Sequence, residues 1–493
     1  MSMPSFKERL NYLFSSTKGL ILVAMSMIAI EVALFGMLSG PMAEMGVRDF
    51  VVRVMNMDLV QAEREGRMII LYHSIAMAMI AIETYMVTDL IKMKSFYKTA
   101  VRVLITIGYL LVMVFGMIFA YRGHNWAFHG VYIFGLSLIF ISGVLLTIAL
   151  WPWNKEYYQP DKNYSRMKKG VDLERTAFFA TALTTILSAL FGAVPGSFFG
   201  NGFNVFLAEN VIRFPEKSTM QYAIIGHLHI MLALIAIMLT LVIGRWLNFK
   251  GILHKIAMPL MILGTIVLNL GVWGVATPLE PIAHMIIYVG ATPSMLAALM
   301  LVIFTWDKLI KEGKPAEGKF RFGQKIGSLL RDPLRFGPMW QMVFMNFTTS
   351  FLGIFMAIRL DEIFRVWPAR EERIELTGHW HVLAAIIATI VLLYYGEMIG
   401  LKGKLRQWYG WLIIILSDIA FGAVTIFEMK RLFISEATQQ PLVNNLMLAI
   451  DFGLGMLLVL VALLLIWRLQ DLFKKKGRWS EEVEQELNQE VES

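Results

Sequence analysis

Long apolar runs, almost empty of charge, decide what this chain can be. Many of them reach about 20 residues, the length that carries a helix across a hydrocarbon core of about 30 Å. A buried helix of a soluble protein rarely needs so long an apolar surface on every side. Hydrophobic residues make up 57% of the 493 and charged residues 17%, where a soluble globular chain carries about a quarter charged. The expected fold class is therefore an all-α polytopic membrane protein with about twelve transmembrane helices. The spans read as 18–42, 68–91, 99–121, 128–151, 175–198, 219–244, 252–276, 282–305, 339–359, 378–399, 408–429 and 441–467. Residues 1–17 form a polar N-terminal segment, 18–468 the membrane domain, and 469–493 a polar tail, acidic after KKKGR, read as a short surface helix or a disordered end. The ninth span, with Asn346, Thr348 and Thr349, and the eleventh, with Asp418, stand out as polar. MSMPSFKERLNYLFSSTK is too polar for a cleaved signal peptide, so the first span is expected to stay in the mature protein.

The formal charge of +8 looks like a nucleic-acid signal until the charges are located. They fall in alternate short loops: Lys92, Lys94 and Lys98; Lys155, Lys162, Arg166, Lys168 and Lys169; Arg245, Lys250 and Lys255; Lys308 to Arg335; Lys402, Lys404 and Arg406. Basic loops stay in the cytoplasm, and both termini join them there. The other loops are more acidic or mixed, as at Glu371 and Glu372. These charges fix topology in a cytoplasmic (inner) membrane and meet anionic lipid headgroups; no nucleic-acid partner is expected.

The chain has no cysteine, which excludes disulfides, thiolate metal sites and iron–sulfur clusters of its own. Its nine histidines are not scattered. Five lie on the second, sixth and tenth spans, at near-equal intervals and near the same depth: LYHSIAMAMIAIE with His73, IIGHLHIMLALIAI with His227 and His229, and LTGHWHVLAAIIAT with His379 and His381. This suggests three pseudo-equivalent four-helix units. Histidine inside a span is costly unless it is paired, hydrogen-bonded or ligated. With no cysteine and no acidic cluster beside the histidines, haem iron is the natural occupant, because imidazole suits both of its axial positions. Each residue turns a helix by about 100°, so the two histidines of an H-x-H pair point to nearly opposite sides and one helix can serve two centres. His284, on the eighth span, is a further candidate ligand or propionate partner. His124 and His129 lie near the outer surface, and His254 on the cytoplasmic side.

With these motifs the chain resembles the large catalytic subunit of the haem–copper oxidase superfamily, which includes the nitric oxide reductases, over roughly residues 15 to 468. YHSIAMAM at His73 is similar to the family's second-helix haem-ligand motif, with Ser74 in place of the usual glycine. HNWAFHGVYIFGLSLIFISGV resembles its fourth helix, LERTAFFATALTTILSALFGAVPG its fifth, IIGH the opening of its sixth, and TGHWHV the H-x-H of its tenth. The resemblance implies two b-type-like haems. His73 and His381 would ligate a low-spin haem from its two faces, His379 would be the proximal ligand of a second haem, and His227 would be the first ligand of a distal metal. Lys430 and Arg431 resemble the basic pair that holds haem propionates.

The departures from that family are in its copper site. The seventh-helix segment LGVWGVATPL keeps Trp273 but has Val275 and Ala276 where the family has a histidine pair. Met231 replaces a tyrosine found in many oxidases, and Ala297 falls where a proton-conducting lysine would be. Copper is therefore expected to be absent; His229 and His284 would have to join His227 to rebuild any non-haem metal site. The resulting expectation is an oxidoreductase component, a haem-containing subunit of a respiratory membrane complex. It would pass electrons through two haems, with other subunits and a c-type cytochrome, an iron–sulfur protein or a quinone as partners. Two alternatives stay open: a divergent terminal reductase of oxygen, nitric oxide or another small molecule, and a haem-free transporter, for which Glu31, Glu83, Asp418 and Asp451 would be the working carboxylates.

Overall fold

The computed structural model of the protein describes residues 5–39, 43, 45–59, 64–123, 125–164, 170–200, 219–314, 320–364, 366–367, 369–435, 438–474 and 477–492. Among them there is no strand, and twelve helices are long and apolar enough to cross a membrane. In lipid no water satisfies a backbone amide or carbonyl, so runs of Leu, Ile, Met and Ala close their hydrogen bonds within the helix.

The chain opens on α1 (Phe6–Ser15), started by a reciprocal cap: the Ser5 hydroxyl accepts from the Glu8 amide and the Glu8 carboxylate from the Ser5 amide. The first span, α2 (Thr17–Ser39), follows, then a short helix α3 (Val47–Met55). Seven spans run through α4 (Arg64–Leu90), α5 (Ser95–Arg122), α6 (Trp126–Ala149), α7 (Leu173–Gly200), α8 (Thr219–Trp246), α9 (Ile252–Gly274) and α10 (Glu280–Glu312). After the short α11 (Phe322–Leu329), the ninth span is made of α12 (Pro333–Phe344), a π-helical turn over Met345–Ser350, and α13 (Phe351–Ile358). The last three spans are α14 (Ala369–Met398), α15 (Gly403–Met429) and α16 (Gln439–Phe473), and the tail ends in α17 (Arg478–Glu492).

The polar residues of the ninth span account for its irregular turn. Asn346 donates to the Met342 carbonyl at 2.8 Å, Thr348 to Phe344 at 2.7 Å, and Thr349 to Met345. Side chains bonding back onto carbonyls compete with the helix ladder there. Between α9 and α10 the backbones touch: a Cβ on Gly290 would lie 2.2 Å from the Leu268 nitrogen. Small residues permit this approach, which supplies the packing that lipid-facing helices cannot gain from hydrophobicity.

The spans are not equally placed in the bundle. The apolar windows of the second, sixth and tenth, on α4, α8 and α14, are 67, 65 and 61% buried, against at most 50% for any other. The three helices that carry the five recurring histidines are thus the inner ones. The even number of spans brings both termini to one end. There α17, which the sequence left open as helix or disorder, folds back onto the bundle. Its Trp479 and Val483 are buried, and Glu482 accepts from the two terminal guanidinium nitrogens of the fully buried Arg468 at 3.1 Å. Lys18 of α2 reaches Glu482 at 2.7 Å and Glu486 at 2.5 Å, while Arg9 of α1 donates to the Leu472 carbonyl.

Candidate functional site

Three inner helices that start at the same end of the bundle bring the histidines together. His73, His227 and His379 each lie between about two and three turns from the start of α4, α8 and α14. Helix α8 packs against both α4 and α14, so its diverging H-x-H pair meets a different neighbour on each flank. The His227 ring faces α4, with its centroid 6.0 Å from that of His73 and the ring planes 19° apart. The His229 ring faces α14, with its centroid 6.0 Å from that of His379 at 40° and 3.8 Å from the ring of Trp380, edge to face.

The His73 and His227 rings are held by backbone oxygens. Nδ1 of His73 lies 2.9 Å from the Ile69 carbonyl, and Nδ1 of His227 lies 3.0 Å from the Ser188 carbonyl on α7. A carbonyl only accepts, so each Nδ1 carries the proton and each Nε2 keeps the lone pair of the neutral ring. Metal-ligating histidines are oriented in the same way, through the nitrogen that does not bind the metal. The Ser188 hydroxyl donates to Asn269 Oδ1 at 2.6 Å, and Asn269 Nδ2 donates to the Thr265 carbonyl at 2.7 Å. This bonding ties α7 to α9 behind His227. Gly192 makes the space the ring occupies: a Cβ there would lie 2.2 Å from His227 Nδ1.

None of Ser188, Asn269 and Gly192 was among the residues the sequence singled out. A backbone carbonyl leaves no mark in a sequence, and one glycine in LFGAVPG says nothing of the ring above it. Asn269, the amide inside the apolar run IVLNLGVWG, was the one readable signal. A second unforeseen group is Glu428, 1% exposed, whose carboxylate packs over Gly378, the residue before His379.

The other predicted site residues are placed as follows. His381 is exposed on α14, its ring centroid 5.2 Å from that of Tyr72, so it approaches α4 beside His73. His284 is half-buried on α10. His227, His229 and His284 do not gather into one cluster, and among the described residues no three His, Asp or Glu side chains do. Lys430 and Arg431 lie in a 3₁₀ turn at the end of α15, the buried Lys430 ammonium 4.6 Å from the Phe427 ring and the Arg431 guanidinium 5.9 Å from that of Trp367. Val275 and Ala276 follow the last residue of α9. His129 packs against Phe119 and Trp126. His254 is fully buried between the rings of Tyr164 and Phe249. His124 lies outside the described residues.

Of the carboxylates, Asp418 accepts from the Trp340 indole at 2.7 Å, which joins α15 to α12. Glu31 and Glu83 are buried, and neither oxygen of Glu31 has a hydrogen-bond partner among the described residues.

No family model, no curated protein and no solved structure matches the chain.

Proposed function

We propose that this chain is the haem-carrying membrane subunit of a respiratory complex and passes electrons through two histidine-ligated haems. The observation that supports this best is the facing of histidines across both flanks of α8, His73 with His227 and His229 with His379. A bare divalent ion would find only two imidazoles at either pair, since no third ligand converges among the described residues. His73, His227, His229 and His379 would hold haem iron through their imidazole nitrogens, with no further protein ligand needed. Such a group supplies reversible one-electron chemistry when bound. The protein holds the His73 and His227 imidazoles at a fixed tautomer within a low-dielectric bundle, and Lys430 and Arg431, at the same end, would pair with propionates.

The three inner helices support a reading as three four-helix units, each contributing histidine at an equivalent place. The basic loops and both termini are assigned to the cytoplasm, and the histidine end to the outer face of the cytoplasmic membrane. A quinone in the bilayer, a c-type cytochrome or an iron–sulfur protein at the outer face would exchange electrons there. The test is the visible spectrum of the purified full-length chain, produced with haem supplied. A sharp reduced-haem band is expected. A colourless protein would end this reading and leave the haem-free transporter.

A further inference from the structure

We propose that His73 and His227 are the two axial ligands of one haem, so that α8 completes the centre that α4 opens. This rests on the haem reading above, and replaces the His73 and His381 pairing that the family resemblance implies. The separation is the first support. Two metal–nitrogen bonds of about 2 Å, with roughly half an imidazole ring beyond each, place the ring centroids about 6 Å apart. The rings of His73 and His227 are 6.0 Å apart, with planes differing by 19°.

The second support is the tautomer. Both rings give Nδ1–H to a carbonyl oxygen, of Ile69 and of Ser188, which leaves Nε2 as the ligating nitrogen on each. The third is a supporting structure around one ring: Asn269 ties to Ser188, whose carbonyl holds His227, and Gly192 leaves the ring its space. His381, by contrast, is exposed and its ring lies against Tyr72.

The assignment has a functional consequence. If His227 is an axial ligand of the first haem, it is not available to a distal metal beside His379. His229 is then the α8 histidine that faces the second centre. Both haems would then be built on one helix, α8.

The experiment is electron paramagnetic resonance of the oxidised full-length protein, wild type against His73→Ala, His227→Ala and His381→Ala. The same low-spin component should vanish in His73→Ala and His227→Ala. To separate loss of a ligand from misfolding, a fourth variant, His227→Gly, is titrated with free imidazole, which should restore that component. Retention of the component in His227→Ala, or its loss in His381→Ala without any response of His227→Gly to imidazole, would overturn the pairing while leaving the haem reading intact. A wild-type protein that binds no haem would overturn both.

Discussion

At the scale of single residues, the position of the His227 ring depends on an absence. Gly192 has no side chain, and adding one methyl puts carbon 2.2 Å from Nδ1. In Gly192→Ala the ring must therefore move, and its bond to the Ser188 carbonyl is lost. Overpacking of this kind costs about 1–3 kcal/mol. The expected result is a lowered melting temperature together with an altered low-spin signal. An unchanged signal at lowered stability would mean that Gly192 serves packing alone. The histidines themselves were legible in the sequence because ionisable side chains are rare in spans and five of them recur at one depth. What orients them was not legible, since Ile69 and Ser188 act through their backbone. The sequence also anticipated that His227 and His229 would diverge, from the turn angle of a helix. It gave no means of saying which neighbour each would face, because that depends on how α4 and α14 pack around α8.

At the scale of elements, α17 was the least legible. Its charges suggested a solvated tail, yet Trp479 and Val483 turn one face of it into the bundle, and Glu482 meets Arg468 there. Burial alone would raise the Glu482 carboxyl; the charges of Arg468 and Lys18 outweigh it and hold it below the usual 4.5. A carboxyl lowered in the folded state contributes stability above its unfolded value, and loses it as pH falls through the folded one. The tail should thus stay docked at neutral pH and become open to protease only in acid, below about pH 4.5, the ordinary glutamate value. Glu482→Gln removes the counter-charge of a fully buried arginine, a change that costs about 3–5 kcal/mol in a buried pair. Rapid clipping of the tail at neutral pH is expected from it. A tail that resists protease in this variant as in the wild type would show that the ion pair does not hold α17. The ninth span was read correctly as a span despite its polar residues. Its π-helical turn was not, since the sequence alone does not say that Asn346, Thr348 and Thr349 bond back onto their own helix.

At the scale of the whole molecule, the twelve spans were legible because hydrophobic length is a strong constraint, and their number puts both termini at one end. The proposed orientation can be tested directly, since the chain has no cysteine of its own. A cysteine at Met45, which is 83% exposed on the histidine side, and one at Lys162, in a basic loop, should label from opposite faces of sealed vesicles. Labelling of both from one face would contradict the topology. The central claim, two haems held by histidine with no copper partner, is tested most directly by metal and haem analysis of the purified chain combined with its oxidised paramagnetic spectrum. The account predicts two haem irons per chain, a low-spin component, and copper well below one per chain, because Val275 and Ala276 offer a metal no nitrogen. One copper per chain with a magnetically coupled haem–copper centre would contradict it.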